Sequence, residues 1–209
     1  MSLTKYENLQ SEIIGNVFND DEFKDLYDTF QKSKNDYTIV PELGYAAYWI
    51  ELGEDLQSVL KSIIEKKLDV KVSKIEAHYA RYSLKTGHKP LLMPHYDRAL
   101  TNATFSLGVV LDNTLDWELV VEGEGFIPRR NDAVLFSGSH QIHWRPDIKF
   151  KDDDYYDIMV CQFYEDTEED LSLDEDHKKH MDEITGKWCL EWERLYDPEL
   201  YNKKMGYND

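Results

Sequence analysis

Between residues 53 and 68 the apolar positions Leu56, Val59, Leu60, Ile63, Ile64 and Leu68 recur three and four residues apart, which predicts an amphipathic helix. Phe23, Leu26, Tyr27 and Phe30 keep a similar spacing. They follow Asn19-Asp20-Asp21, a run suited to capping, and predict a second helix. Between the two, Asp36 to Val40 and Tyr45 to Ile50 read as short extended pieces around Pro41 and Gly44. From Val70 the pattern changes. Val72, Ile75, Ala77, Tyr79 and Arg81 to Leu84 suggest strand, and short β-rich runs then follow one another to about Glu165. These are Thr104 to Leu111, Trp117 to Val121, Ala133 to Ser137 and Tyr155 to Tyr164, separated by Asp112-Asn113, Gly123 to Gly125 and Asn131-Asp132. Strands punctuated by turns at this interval predict an antiparallel sandwich or barrel. The region has no alternating helices, which argues against a parallel α/β sheet. An acidic cluster, Glu165 to Asp176, reads as a solvated linker. A helix carrying Ile184, Trp188, Leu190, Trp192 and Leu195 follows, and then a polar surface tail from Tyr196.

The expected fold class is therefore mainly β with flanking helices (α+β). The 209 residues suit one domain: N-terminal helical support over 1–69, a β core over 70–165, and a C-terminal helix and tail over 166–209. No internal repeat is present. A net charge of -18 argues against binding nucleic-acid phosphates or an anionic membrane surface, both of which need clustered Lys and Arg. Its plainer consequence is solubility. Cys161 and Cys189 are too few for a disulfide framework, the first residues do not read as a signal peptide, and no apolar run is long enough to span a membrane. A reducing, cytoplasmic setting is the expectation.

The chemistry centres on Met93-Pro94-His95-Tyr96-Asp97-Arg98. In an extended strand His95 and Asp97 point to the same face and can converge on one metal ion. With 7 His among 42 acidic residues, about one such pair arises by chance, so a third ligand is needed. His140 and His143, in Ser137-Gly138-Ser139-His140-Gln141-Ile142-His143-Trp144-Arg145, are both candidates. The remaining histidines have plainer readings: His78 as packed or pocket-lining, His88 as a turn residue, and His177 with His180 as a solvated helical pair. Trp117 and Trp144 read as core or pocket wall. Asp152 to Asp154 lacks the alternating ligands and the turn Gly of an EF-hand.

On these residues the chain resembles the Fe(II)- and 2-oxoglutarate-dependent dioxygenases, closest to their prolyl-hydroxylase-like branch. The His-Trp-Arg wording at 143–145 also looks like a phage- and marine-bacterium-associated subset. The likeness covers roughly residues 70 to 165. It implies a double-stranded β-helix (jelly-roll, cupin-like) core with Fe(II) held by His95, Asp97 and His143. His143 fits the family offset from the Asn131-Asp132 turn better than His140 does. Two imidazoles and one carboxylate on one face of Fe(II) leave positions open for 2-oxoglutarate and O2. The implied activity is hydroxylation of a peptide prolyl residue or a small molecule.

The family's co-substrate base, an Arg or Lys about ten residues after the distal His, is missing, because Asp153 stands there. Arg145, then Lys151, then Arg81 are the candidates for it, with Tyr82 as a further co-substrate contact and Arg98 also nearby. A bidentate Arg–carboxylate contact is the natural way to hold 2-oxoglutarate. The missing base also leaves open a cupin-like barrel that binds a metal or small ligand without oxidative turnover. A third reading is an acidic interaction module whose histidines are structural.

Overall fold

The structure is a computed structural model that describes residues 6, 8–33, 38–40, 44–97, 103–168, 171 and 173–206. Arg98, Asp36, Tyr37 and Pro41 lie outside them. Strands β1 (Glu12–Ile14), β2 (Thr38–Val40), β3 (Tyr45–Ile50), β4 (Val72–Tyr82), β5 (Leu92–His95), β6 (Ala103–Asn113), β7 (Leu119–Val121), β8 (Glu124–Phe126), β9 (Ala133–Phe136), β10 (His143–Arg145) and β11 (Tyr156–Glu165) form two sheets. The larger has the order β1-β9-β6-β11-β4-β3-β2 and the smaller β5-β10-β7-β8, with every pairing antiparallel. The fold is a mainly antiparallel jelly roll with flanking helices.

Helix α1 (Asp20–Ser33) starts on the Asn19 side chain, which accepts from the amides of Asp21 and Glu22. Glu22 accepts in return from the Asn19 amide, a reciprocal cap. Helix α2 (Glu54–Leu68) buries Leu60 and Ile64. Both helices cover one face of the large sheet. There Phe30, Leu60 and Ile64 join Tyr79, Leu107, Met159 and Phe163 in the main core. The N-terminal region does more than support that face, since β1, β2 and β3 extend the sheet itself.

Because side chains alternate along a strand, the opposite face of the large sheet presents His78, Ala80 and Tyr82 of β4 with Ile158, Val160 and Gln162 of β11. These line a space closed by the small sheet. Helix α3 (Glu175–Tyr196) begins inside the acidic cluster on an Asp174 cap, and packs Met181, Trp188 and Trp192 on the outside of the small sheet. The expected tail forms a further short helix, α4 (Pro198–Met205), with no buried residue. Among the described residues no helix is long and apolar enough to cross a membrane.

Candidate metal and co-substrate site

Strand β5 is the edge of the small sheet, and its register with β10 slips between two pairs, His143 with His95 and Arg145 with Leu92. Met93 and Pro94 thus stand opposite Trp144 alone. This is a bulge, one of the few places in a sheet where a proline, lacking its N–H, is tolerated. The bulge sets the site. It lets Leu92 and His95, three residues apart, both face the interior, where His143 and Arg145 face them.

Cross-strand pairing places the His95 and His143 rings 4.3 Å apart between centroids. Asp97 lies just beyond β5, and its backbone N–H donates to the Gly138 carbonyl at 2.8 Å. Its Oδ1 lies 3.8 Å from His95 Nε2 and 3.9 Å from His143 Nε2. One ligand atom from each of the three residues falls within 4.8 Å of the others. The two rings are oriented alike. His95 Nδ1 meets the Met93 carbonyl at 2.7 Å and His143 Nδ1 the Gln141 carbonyl at 3.1 Å, each two residues back along the chain. A carbonyl only accepts, so each Nδ1 is the donor there and each Nε2 is the ring nitrogen that faces Asp97. This is the outer-shell arrangement that readies an imidazole for a metal. Burial pushes the His143 pKa down to about 4, and the neighbouring His95 pushes the same way. The ring is thus neutral at ordinary pH and no proton competes for its lone pair.

Gly138 is a part of the site that motif reading passed over. A Cβ there would collide with Asp97 Oδ2 and Ser106 Oγ, so the carboxylate is seated against bare backbone. The only sequence signal was a glycine between two serines after a strand, which is indistinguishable from an ordinary turn. His140, the other candidate, does not join the cluster. Its Nδ1 meets Ser139 Oγ at 2.8 Å and Ser137 Oγ at 3.2 Å, and its ring packs on Tyr6.

The cavity between the sheets has a volume of about 110 Å³ and runs from this cluster to Arg145 and Tyr82. Arg145 is 3% exposed. Its guanidinium carbon lies 4.6 Å from the Tyr156 ring centroid and 5.0 Å from that of Trp117, and Nη1 donates to the Trp117 carbonyl. Its Nε is buried with no hydrogen-bond partner among the described residues, as is the Tyr156 hydroxyl. Burial drives the Tyr82 pKa far above the usual range, so it stays a neutral phenol. His78 and Tyr45 line the cavity with their rings stacked, and burial lowers the His78 pKa to about 4.

The other two basic candidates go elsewhere. Arg81 alternates to the helix-covered face, where its Nε meets buried Asp157 at 3.3 Å. Lys151 sits exposed in the turn before β11, with its backbone N–H donating to Asp154. Charge and distance from His143 ranked both of them, but strand parity and turn geometry placed them outside the cavity. Trp117 is cavity-side core beneath Tyr82, while Trp144 packs outside against Trp188. His177 pairs with Asp174 at the start of α3.

No protein-family model and no curated protein sequence matches the chain. Solved structures do. A prolyl-4-hydroxylase from Pseudomonas putida superposes with a TM-score of 0.56 at 14% identity, covering 74% of this chain and 91% of that one. A prolyl hydroxylase from Trichoplax adhaerens, solved with a hypoxia inducible factor peptide fragment, gives 0.54 at 12% identity over 78% and 87%. The chain has the double-stranded β-helix fold of the 2-oxoglutarate oxygenases. An oxidoreductase of the 2OG-Fe(II) oxygenase family from Burkholderia pseudomallei, with a TM-score of 0.54 at 13% identity over 78% and 90%, shares it too.

Proposed function

We propose that the chain is a non-haem Fe(II)- and 2-oxoglutarate-dependent dioxygenase that hydroxylates a peptide prolyl residue or a small molecule. The observation that carries this reading is the pairing of a two-histidine, one-carboxylate cluster with a buried arginine at the other end of the same cavity. The donor set is the one suited to Fe(II) with open positions, and no Cys stands among the three to favour a closed zinc site. His95 and His143 would hold the metal through Nε2 and Asp97 through its carboxylate. When bound, Fe(II) supplies the O2 chemistry of an overall conversion of 2-oxoglutarate, O2 and a C–H substrate to succinate, CO2 and the alcohol.

The protein's own part is positioning and dryness. Arg145 takes the distal carboxylate of 2-oxoglutarate. The Trp117 and Tyr156 rings hold its planar fork, and Nη1 is anchored on the Trp117 carbonyl, which leaves other donors of the fork for the ligand. Tyr82 closes the same end as a neutral phenol. The small sheet and the aromatic walls keep bulk water from the reacting centre. The His95 and Asp97 side chains are 27% and 22% exposed against 6% for His143, so the prime substrate approaches from the β5 edge.

Anaerobic titration with Fe(II) and 2-oxoglutarate tests the reading. The expected result is a visible charge-transfer band, with succinate released once air is admitted. Metal uptake with no band and no consumption of O2 with any 2-oxo acid would replace it with a binding-only barrel.

A further inference from the structure

The bulge aims His95 and Arg145 into the cavity, and backbone carbonyls of both of its strands are met from outside the small sheet. Helix α3 reaches them with side chains that fall on one stripe of its surface. Trp192 donates its indole N–H to the Arg145 carbonyl at 3.2 Å, with both residues buried. Cys189 donates its thiol to the Pro94 carbonyl at 3.3 Å. Two helical turns before Cys189, Asp182 accepts at 2.7 Å from the hydroxyl of Tyr96, which stands between His95 and Asp97. Packing of Tyr96, Trp144 and Trp192 with Met181 and Trp188 fills the same interface.

We propose that α3 is a positioning strut which holds the two ends of the site separately. Trp192 fixes the backbone that aims Arg145, and Asp182 fixes the β5 end that presents His95 and Asp97. None of these residues touches the cavity, so Trp192 and Asp182 are positioning residues. The roles rest on the functional reading above, through the metal and the co-substrate assigned there.

The test uses the full chain and calorimetric titration with two probes, Co(II) alone and then 2-oxoglutarate on the Co(II)-loaded protein. Trp192→Phe keeps an aromatic ring in the packed cluster and removes the indole donor together with part of the ring area. It is expected to weaken 2-oxoglutarate binding roughly three- to tenfold, the worth of one hydrogen bond, with Co(II) affinity unchanged. Tyr96→Phe and the exposed Asp182→Asn are expected to do the reverse, weakening Co(II) by a similar factor and leaving 2-oxoglutarate binding to the loaded protein as it was. Loss of thermal stability alone, with both affinities intact, overturns the strut, and so does an equal shift of both affinities in every variant. If the unsubstituted chain binds neither probe, the functional reading and the strut fall together. If it binds both and the variants do not separate them, only the strut falls.

Discussion

On the helix-covered face of the large sheet, Arg81 meets Asp157 at 3.3 Å and stacks on Tyr155, while Asp112 accepts from the hydroxyls of Tyr27 and Tyr155. On the cavity face, Arg145 is more deeply buried, yet among the described residues it has no carboxylate partner, and its Nε is unsatisfied. Buried polar groups are costly unless paired. On the first face the protein itself supplies the arginine with a carboxylate, Asp157. On the second, the partner we propose for Arg145 is the carboxylate of a ligand. The same side-chain type is thus a structural element in one place and a recognition element in the other, and the difference is whether the fold supplies its counter-ion.

Substitutions on the two faces should therefore fail differently. The largest effect is expected from His143→Ala, which removes one of three ligands. Metal uptake should fall by more than about a thousandfold, as read by calorimetry, and succinate formation should cease. Next, Arg145→Gln should weaken 2-oxoglutarate about a hundredfold, within the range for losing a buried charge-assisted contact. The denaturant midpoint of the free protein should stay the same or rise, since no carboxylate is left behind. Asp157→Asn should invert that pattern. It should cost about 2 kcal/mol in urea unfolding, discounted because Arg81 is partly exposed, with 2-oxoglutarate affinity intact. If Asp157→Asn weakens the co-substrate as much as Arg145→Gln does, the contrast between the faces is broken.

Acid provides a finer probe. His143 and His78 on the cavity face have pKa values lowered to about 4 from an ordinary 6.5. The unfolded chain therefore takes up protons at these rings before the folded one does. The stability they contribute is complete above about 6.5 and is lost as pH falls toward 4. Urea midpoints of the metal-free protein should decline through that window. A flat profile would mean that the cavity histidines are hydrated and the interior is wet.

Much of this was legible along the chain. The spacing of Leu56 to Leu68 and of Phe23 to Phe30 marked two helices, because a helix must keep one stripe of its surface dry. The strand runs and their turns marked an antiparallel β core, and His95-x-Asp97 was visible as a pair, although β5 ends at His95 and Asp97 is seated by its bond to Gly138. What local pattern could not reach was parity and register. Arg81 lies next to Tyr82, yet alternation sends one to Asp157 and the other to the cavity. Lys151 and Arg145 are six residues apart, but only one remains on a strand.

By itself, then, the sequence determined the elements, the one-layer-on-another architecture and the residue types able to bind a metal, since periodicity and side-chain chemistry are local properties. The family resemblance already favoured His143 and ranked Arg145 first, but only the tertiary structure brings both into one cavity with His95 and Asp97 and shows the bulge at Met93-Pro94, braced by α3, that aims them. Those outcomes depend on the register of β5 against β10 and on a helix about 90 residues further along the chain, contacts that no short window of sequence contains.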